Sequence, residues 1–363
     1  MDVLTPYSIA MQNYCIIMAG GIGSRFWPLS KDNYPQQFLD ILNTGKSFIR
    51  STYDRFSPVI PDENFLVVTN AAYKQLVLDH LPMLKPEQVL CEPARRNTAP
   101  CIAYACYRIQ SLCQDANIVV TPADHLVTNE VEFQRVIRLG FDFLATQPQA
   151  LMTIGIKPSR PETGYGYIQV GKTEDRRQKT EVEKVTCFKE KPDYDTALRF
   201  LQEGNYLWNS GIFLWTLKGI MSAFKRDLPD IVALFDQGNE SFGTANEQAF
   251  INQKFIDCQN ISIDYGIMEK SPDTFTIPAD FGWSDIGTWG SLFTHAKKDN
   301  DGNALRGKVV SVDNKNTIVN IEEGTEAVVE GLEDYLVAYR DHSLLVCRLR
   351  DEQQIKSWIE GLK

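Results

Sequence analysis

The sequence predicts an α/β fold: a doubly wound, mainly parallel sheet with helices on both faces, followed by a small β-rich C-terminal domain. Three observations predict it. Through the first half, short apolar runs alternate with helix-period segments, the order of a sheet wound by crossover helices. Three loops that follow strand-like runs hold the chemically suggestive residues, which is where such sheets place their ligands. From Gly307 the chain changes to short strand-like strings with no helical crossovers. At 363 residues there is room for about two domains, placed here at 1–300 and 301–363.

The apolar run YCIIMAG (14–20) is the first strand, and AGGIGSRFWPLSKDNYPQQF (19–38) is the loop after it. A helix over 46–56 follows. FLVVTN (65–70), QVLCE (88–92), NIVVTPAD (117–124) and LMTIGI (151–156) are the next strands, with helices over 71–81, 98–113 and 130–145 between them. From 164 to 217 the pieces YGYIQV, VEKVTCFKEKP and NSGIFLWTL read as strands around one helix, and 218–257 reads as helical. The tail strings are GKVVSVD, TIVNIEE, AVVEGL, DYLVAYRD and SLLVCRLR, closed by a helix near 351–361.

Composition narrows the function classes. A formal net charge of −10 argues against nucleic acid or an anionic membrane as partner, while leaving room for a local basic pocket. No apolar run approaches the ~18 residues of a membrane span. The N-terminus has neither a basic start nor an apolar stretch of secretory type, so a cytoplasmic location is expected. Eight cysteines include no C-x-x-C pair, which predicts reduced, mostly buried thiols. Four scattered histidines form no zinc-ligand pattern.

The first candidate site is the glycine loop. Gly20, Gly21 and Gly23 allow a close approach of backbone to an anion, and the amides that follow can face phosphate oxygens. Arg25 adds a cation. The loop fits neither standard fingerprint. The third glycine position of a dinucleotide loop is Phe26, and the glycine that a P-loop needs five positions before Gly45 is Asp40. Gly45-Lys46-Ser47 therefore reads as a helix cap.

Asp124, in Thr121-Pro122-Ala123-Asp124-His125, ends a strand-like run and faces the ligand crevice, where a carboxylate can bind Mg²⁺. The alternative, a helix N-cap, is weakened because the next helix begins near Thr128 or Asn129. Asp285 sits between glycines and tryptophan in Phe281-Gly282-Trp283-Ser284-Asp285-Ile286-Gly287, a second acid in a tight turn or a structural Asx-turn. Lys189-Glu190-Lys191-Pro192 is either a solvated charge cluster or a cationic site. Asn209, inside an apolar strand, needs hydrogen-bond partners if buried, and a hydroxylated ligand would supply them. The loop from Glu92 to Thr98 reads two ways with equal weight. Glu92 could accept from the adjacent N–H groups of guanine, or Asn97 could simply cap a helix beside exposed arginines.

In order along the chain, AGGIGSRFWPLS, EPARRNTAP, TPADH, TGYGYI, FKEKP, WNSGIF, SIDYGIMEK and WSDIGTW resemble the motifs of the sugar-nucleotide pyrophosphorylases, most closely the bacterial guanylyltransferases for mannose 1-phosphate. The resemblance implies a Rossmann-like nucleotidyltransferase fold. It implies the reaction of GTP with α-D-mannose 1-phosphate to give GDP-mannose and pyrophosphate, assisted by Mg²⁺. Asp124 and Asp285 are then the metal ligands. Gly20, Gly21, Gly23 and Ser24, with Arg25, cradle the nucleotide phosphates, and Lys191 neutralises the sugar phosphate. Glu190, Asn209 and the turn of Gly164, Tyr165 and Gly166 line the mannose, with Glu269 on the sugar side. Glu92, Asn97 and Thr98 face guanine and ribose. The tail is implied to be β-helix-like and to help form a homodimer.

One position departs from the family signature, which continues Pro-Lys-Gln after the glycine loop. This chain has Pro35, Gln36 and Gln37. Glutamine donates hydrogen bonds without charge, and a charge-assisted contact to phosphate is roughly twice as strong. Lys31, on the same loop, is a candidate to replace the charge. Two other readings stay open: a guanylyltransferase for another hexose 1-phosphate, and a weakly active or non-catalytic GTP or GDP-sugar binding protein.

Overall fold

The computed structural model describes residues 11–21, 24–171 and 181–362. Gly23 and the side chain of Ser24 lie outside what is described. The strands of the large sheet are β1 (Gln12–Met18), β2 (Phe65–Asn70), β3 (Val89–Glu92), β4 (Ala116–Pro122), β6 (Leu151–Ile156), β7 (Tyr167–Val170), β8 (Glu183–Lys189), β9 (Tyr206–Thr216) and β10 (Thr274–Ala279). A separate short ladder joins β5 (Leu126–Val127) to β11 (Trp283–Ser284). The helices are α1 (Phe48–Phe56), α2 (Lys74–His80), α3 (Thr98–Leu112), α4 (Glu130–Thr146), α5 (Tyr194–Glu203), α6 (Leu217–Asp227), α7 (Pro229–Asp236), α8 (Glu247–Lys254), α9 (Trp289–His295) and α10 (Ile355–Glu360).

The nine-stranded sheet has the order β3-β2-β1-β4-β9-β6-β10-β8-β7. β1 is central to its parallel half and pairs with β2 and β4. Its apolar run feeds both faces: Tyr14 and Ile16 pack on one side with α3 and α6, Cys15 and Ile17 on the other with α1 and α4. That two-sided burial explains a continuous apolar string rather than an alternating one.

The sheet is mixed, which corrects the expectation of a mainly parallel one. β9 runs antiparallel between β4 and β6, and β7 and β8 add an antiparallel hairpin beyond β10. Apolar strings alone carry no direction, and the long β9 enters the sheet from far along the chain. Cap chemistry follows the sequence more closely. Ser47 accepts from the Arg50 amide (3.4 Å) at the start of α1, and Asn129 accepts from the Glu132 amide (3.1 Å) at the start of α4. Asp124 is therefore not the cap of α4.

The tail strands are β12 (Ala304–Arg306), β13 (Lys308–Val312), β14 (Ile318–Ile321), β15 (Glu326–Glu330), β16 (Tyr335–Arg340) and β17 (Ser343–Arg348). β12, β14 and β16 pair in parallel, with β17 antiparallel at their edge, and β13 pairs in parallel with β15. The tail is not packed only on itself. Leu336, Leu345 and Ile355 share one apolar cluster with Phe26 and Leu29 of the glycine-loop segment and with Ile286 and Trp289.

Candidate active site

The carboxyl ends of β1, β3 and β4 open onto a cleft of about 330 Å³ lined by Gly20, Gly21, Gln37, Glu92, Asn97, Thr98 and Asp124 among others. Gln37 pins the glycine loop from beneath: its Nε2 donates to the carbonyls of Ala19 (3.0 Å) and Gly21 (3.1 Å). Its Oε1 is buried without a partner, as is Oε1 of Glu92. Burial pushes the Glu92 carboxyl up to about 8, against a hydrogen bond from Cys101 that lowers it.

Asn97 holds a positive φ of 66° and its Oδ1 accepts from the Thr98 amide (2.9 Å). The capping reading of Asn97 is therefore correct, and it coexists with a place in the cleft. Thr98 Oγ1 accepts from the Ile263 amide (2.9 Å), tying the cleft to the segment beyond α8. Arg96, also on the cleft lining, donates to the Ile256 carbonyl (2.9 Å).

The β5–β11 ladder joins the segments that carry the two candidate metal ligands. Trp283 pairs with Val127 and Ser284 with Leu126, and the charges of both Asp124 and Asp285 act on His125. The junction is braced on its buried side. Trp283 Nε1 donates to His125 Nδ1 (3.2 Å), and Arg55 Nη2 donates to the His125 carbonyl (3.2 Å). Burial lowers the His125 pKa, against the nearby charges of Asp124 and Asp285, which raise it. Tyr165 donates to Asp285 Oδ1 (2.6 Å), and so does the Gly287 amide (3.2 Å). A Cβ on Gly287 would stand 2.8 Å from Asp285 Oδ2 and 3.3 Å from Arg25 Nη1. The exposed Arg25 and the Asp285 carboxylate thus converge over a position where only glycine leaves room.

Glu190, Asn209 and Gly166 form a second group. A side chain on Gly166 would collide with Glu190 Oε2, an oxygen that is buried without a partner. Lys191, at φ 45°, is mostly exposed with its Nζ 3.3 Å from Glu190 Oε1. Asn209 finds its partners within the protein, contrary to the expectation that a ligand supplies them. Its Oδ1 accepts from Thr153 (2.8 Å) and its Nδ2 donates to Asp264 Oδ1 (2.9 Å). Gly164 donates its amide to Glu162 Oε1 (3.1 Å) at the rim. Glu269 is exposed and takes the Glu190 amide, bracing that residue rather than lining the group.

Asp264 was missed by the sequence reading. It begins a π-helical turn, Asp264–Met268, and its carboxyl is pushed up to about 7 by burial and then by the charge of Glu190. The available signal was one acid within the apolar string ISIDYGIM. The role of Gln37 is likewise not legible in the sequence, because it depends on burial beneath the glycine loop. Gln36 Nε2 donates to Asp124 Oδ2, so the uncharged residue reaches the metal-ligand candidate itself. Lys31 does not replace the absent charge. Its Nζ pairs with Asp341 of the tail at 3.1 Å.

A glycine-loop cleft at the strand ends of a mixed α/β sheet, with Asp124 on its lining, is a site of the kind that takes a nucleotide. Residues 14–302 match the family described as Nucleotidyl transferase, and the chain belongs to that family. Within it the chain stands with the mannose-1-phosphate guanylyltransferases. It is 34% identical over 96% of its length, and 75% of the relative's, to a mannose-1-phosphate guanylyltransferase of Escherichia coli. It is 35% identical, over 96% of its length and 73% of the relative's, to the xanthan biosynthesis protein XanB of Xanthomonas campestris. A solved structure from Thermus thermophilus, described as a mannose-1-phosphate geranyltransferase, superposes with a TM-score of 0.84 at 27% identity, covering 97% of this chain and 99% of that one. No helix among the described residues is long and apolar enough to cross a membrane.

Proposed function

We propose that the chain transfers the guanylyl group of GTP to α-D-mannose 1-phosphate, giving GDP-mannose and pyrophosphate. The observation that supports this reading is the β5–β11 ladder, which joins the segment just after Asp124, itself on the lining of the glycine-loop cleft, to the segment just before Asp285. A phosphate oxygen of the sugar phosphate attacks the α-phosphorus in line. The bond to the β-phosphate breaks, and pyrophosphate leaves on the opposite side. No protein nucleophile is required.

The donor set suits Mg²⁺, since two carboxylates with phosphate and water oxygens are what this hard cation takes. Held by Asp124 and Asp285, it would neutralise charge on the phosphate oxygens. The amides of Gly20 and Gly21 and the Arg25 guanidinium grip the nucleotide phosphates, and Lys191 neutralises the sugar phosphate. Guanine is favoured by two buried acceptors without partners, Oε1 of Glu92 and Oε1 of Gln37, which suit a base edge carrying adjacent N–H donors. Glu190 and Asp264 are placed to accept from sugar hydroxyls.

Mixing the purified protein with GTP, Mg²⁺ and mannose 1-phosphate tests the reaction. Pyrophosphate release well above that of an Asp124→Ala control is expected, and release no greater than the control sinks the proposal. A panel of hexose 1-phosphates compared by kcat/KM settles the sugar. The contact of Gln36 with Asp124 favours a second reading, a GTP or GDP-sugar binding protein with weak or no turnover. It predicts calorimetric binding without product.

The tail alternates between the β12–β14–β16 sheet and the β13–β15 pair, which supports a β-helix-like domain over about 301–363. Exposed Val310, Val328 and Val346 on it support a homodimer, which light scattering would detect as twice the chain mass. A cytoplasmic location accords with a GTP-dependent biosynthetic reaction.

A further inference from the structure

Glu352 belongs to the tail, in the short 3-10 turn Leu349–Gln354 just before α10. Its side chain nevertheless reaches into the segment that follows Asp285. Oε2 accepts from the Gly290 amide at 2.6 Å. The carboxylate also takes the Thr288 hydroxyl and the Trp289 amide, and it lies within the field of Arg25. A Cβ on Gly290 would stand 2.9 Å from Glu352 Oε1, so the bare α-carbon is what lets the carboxylate close in.

A second observation comes from the backbone. Ile286, the residue directly after Asp285, holds φ at 41°. A β-branched side chain is rare there, and such strain persists only where the surroundings over-determine it. Ile286 is fully buried in the cluster that contains Leu336, Leu345 and Ile355 of the tail together with Phe26 of the glycine-loop segment. The tail therefore holds the strained turn from its apolar side through this cluster and from its polar side through Glu352.

We propose that Glu352 is a positioning residue for the transfer centre: from the tail it fixes the backbone after Asp285 and opposes Arg25, so that the centre is complete only with the tail docked. The proposal rests on the reading of Asp285 as a metal ligand. It assigns the tail a part in catalysis separate from any part in assembly. Glu352 bonds the backbone of 288–290, and neither it nor those residues line the purine cleft, so the effect falls on the metal and the transfer step rather than on base recognition.

The test uses the full chain as wild type, Glu352→Ala and Glu352→Gln, with thermal melting as the check of folding. Mn²⁺ binding is read by electron paramagnetic resonance in the presence of GTP, alongside kcat, the KM for GTP and the Mg²⁺ concentration for half-maximal rate. For Glu352→Ala we expect Mn²⁺ affinity to fall about fivefold and kcat about tenfold, with the KM for GTP within about twofold of wild type. Glu352→Gln keeps an acceptor oxygen but loses the charge opposite Arg25, and should lose about threefold in both metal affinity and kcat. If the alanine variant does not fold, the glutamine variant decides alone. Wild-type metal affinity in a folded variant overturns the proposal, as does a loss of kcat that tracks melting temperature with metal binding unchanged. Should wild type release no pyrophosphate at all, the proposed reaction fails, and the Mn²⁺ comparison still decides the role of Glu352.

Discussion

The cleft is made by strand ends and loops of the first third of the chain: β1 and its loop, β3 with its loop and the first turn of α3, and the end of β4 with Asp124. The Asp285 side has no such unit. The segments of Asp124 and Asp285 are joined by a two-residue ladder although they lie about 160 positions apart, Tyr165 comes from a third segment, and the tail supplies Glu352. On the proposed reading, the cleft would recognise base and phosphate with local backbone and buried acceptors, and the transfer centre would depend on long-range pairing to bring its carboxylates to a cation and phosphates. Damage to the cleft should therefore appear in nucleotide KM and selectivity, and damage to the ladder side in kcat and metal dependence.

The largest effect expected is on the ladder side. Asp285→Ala removes one of the two proposed metal ligands and should lower kcat by about 10³-fold, with GTP affinity measured by calorimetry changed far less. A parallel loss of GTP affinity would merge the two regions into one. On the cleft side, Glu92→Gln leaves a carbonyl in place of a carboxylate and should raise the KM for GTP about thirtyfold, with little change in kcat. Its preference for GTP over ATP should shrink, and an unaltered preference would mean that Glu92 does not read the base.

The cleft also carries a pH signature. Burial holds the Glu92 carboxyl at about 8 in the free protein, and accepting from guanine requires the ionised form. GTP binding then releases a proton, so affinity should rise about tenfold between pH 6.5 and 8.5. Glu92→Gln should flatten that profile. Stability of the free protein runs the other way. Glu92 and Asp264, held at about 8 and about 7, bind more protons folded than unfolded. The stability they lend at acid pH is lost as pH rises from the ordinary carboxylate range towards those values. Melting temperature without ligand should accordingly fall across that window.

The smallest effect joins the two regions. Gln36 already touches Asp124, so Gln36→Lys would place a cation beside that carboxylate and the phosphates. Turnover should rise between threefold and about tenfold. A fall in turnover would show that the neutral contact to Asp124 is the favoured arrangement in this chain.

Much of the cleft was legible in the sequence because its chemistry is local. The β1 strand runs straight into its glycine loop, Glu92 ends β3 a few residues before Thr98 opens α3, and Ser47 and Asn129 announce their helices by cap chemistry. The transfer side was legible only residue by residue, as isolated odd acids at Asp124 and Asp285, because the joining of their segments depends on a register between distant parts of the chain. Lys31 misled for the same reason: proximity in sequence placed it beside the phosphates, whereas the fold turns it towards Asp341 of the tail. Asp264 sat inside a quoted motif but only burial distinguishes it from Glu269. Glu352 lies in a run, RDEQQ, at the start of the expected closing helix, where nothing in the sequence sets it apart, and only the docking of the tail turns it inward. The direction of β9 escaped because a fully buried strand presents the same apolar string in either orientation.

The central claim is that Asp124 and Asp285 form a single cation and phosphate centre. Paramagnetic broadening of the two phosphorus resonances of GDP-mannose by Mn²⁺, measured on wild type, Asp124→Ala and Asp285→Ala, tests it most directly. Strong broadening on wild type, abolished by either substitution alone, is the predicted result. Wild-type broadening that survives in either variant would contradict a shared centre.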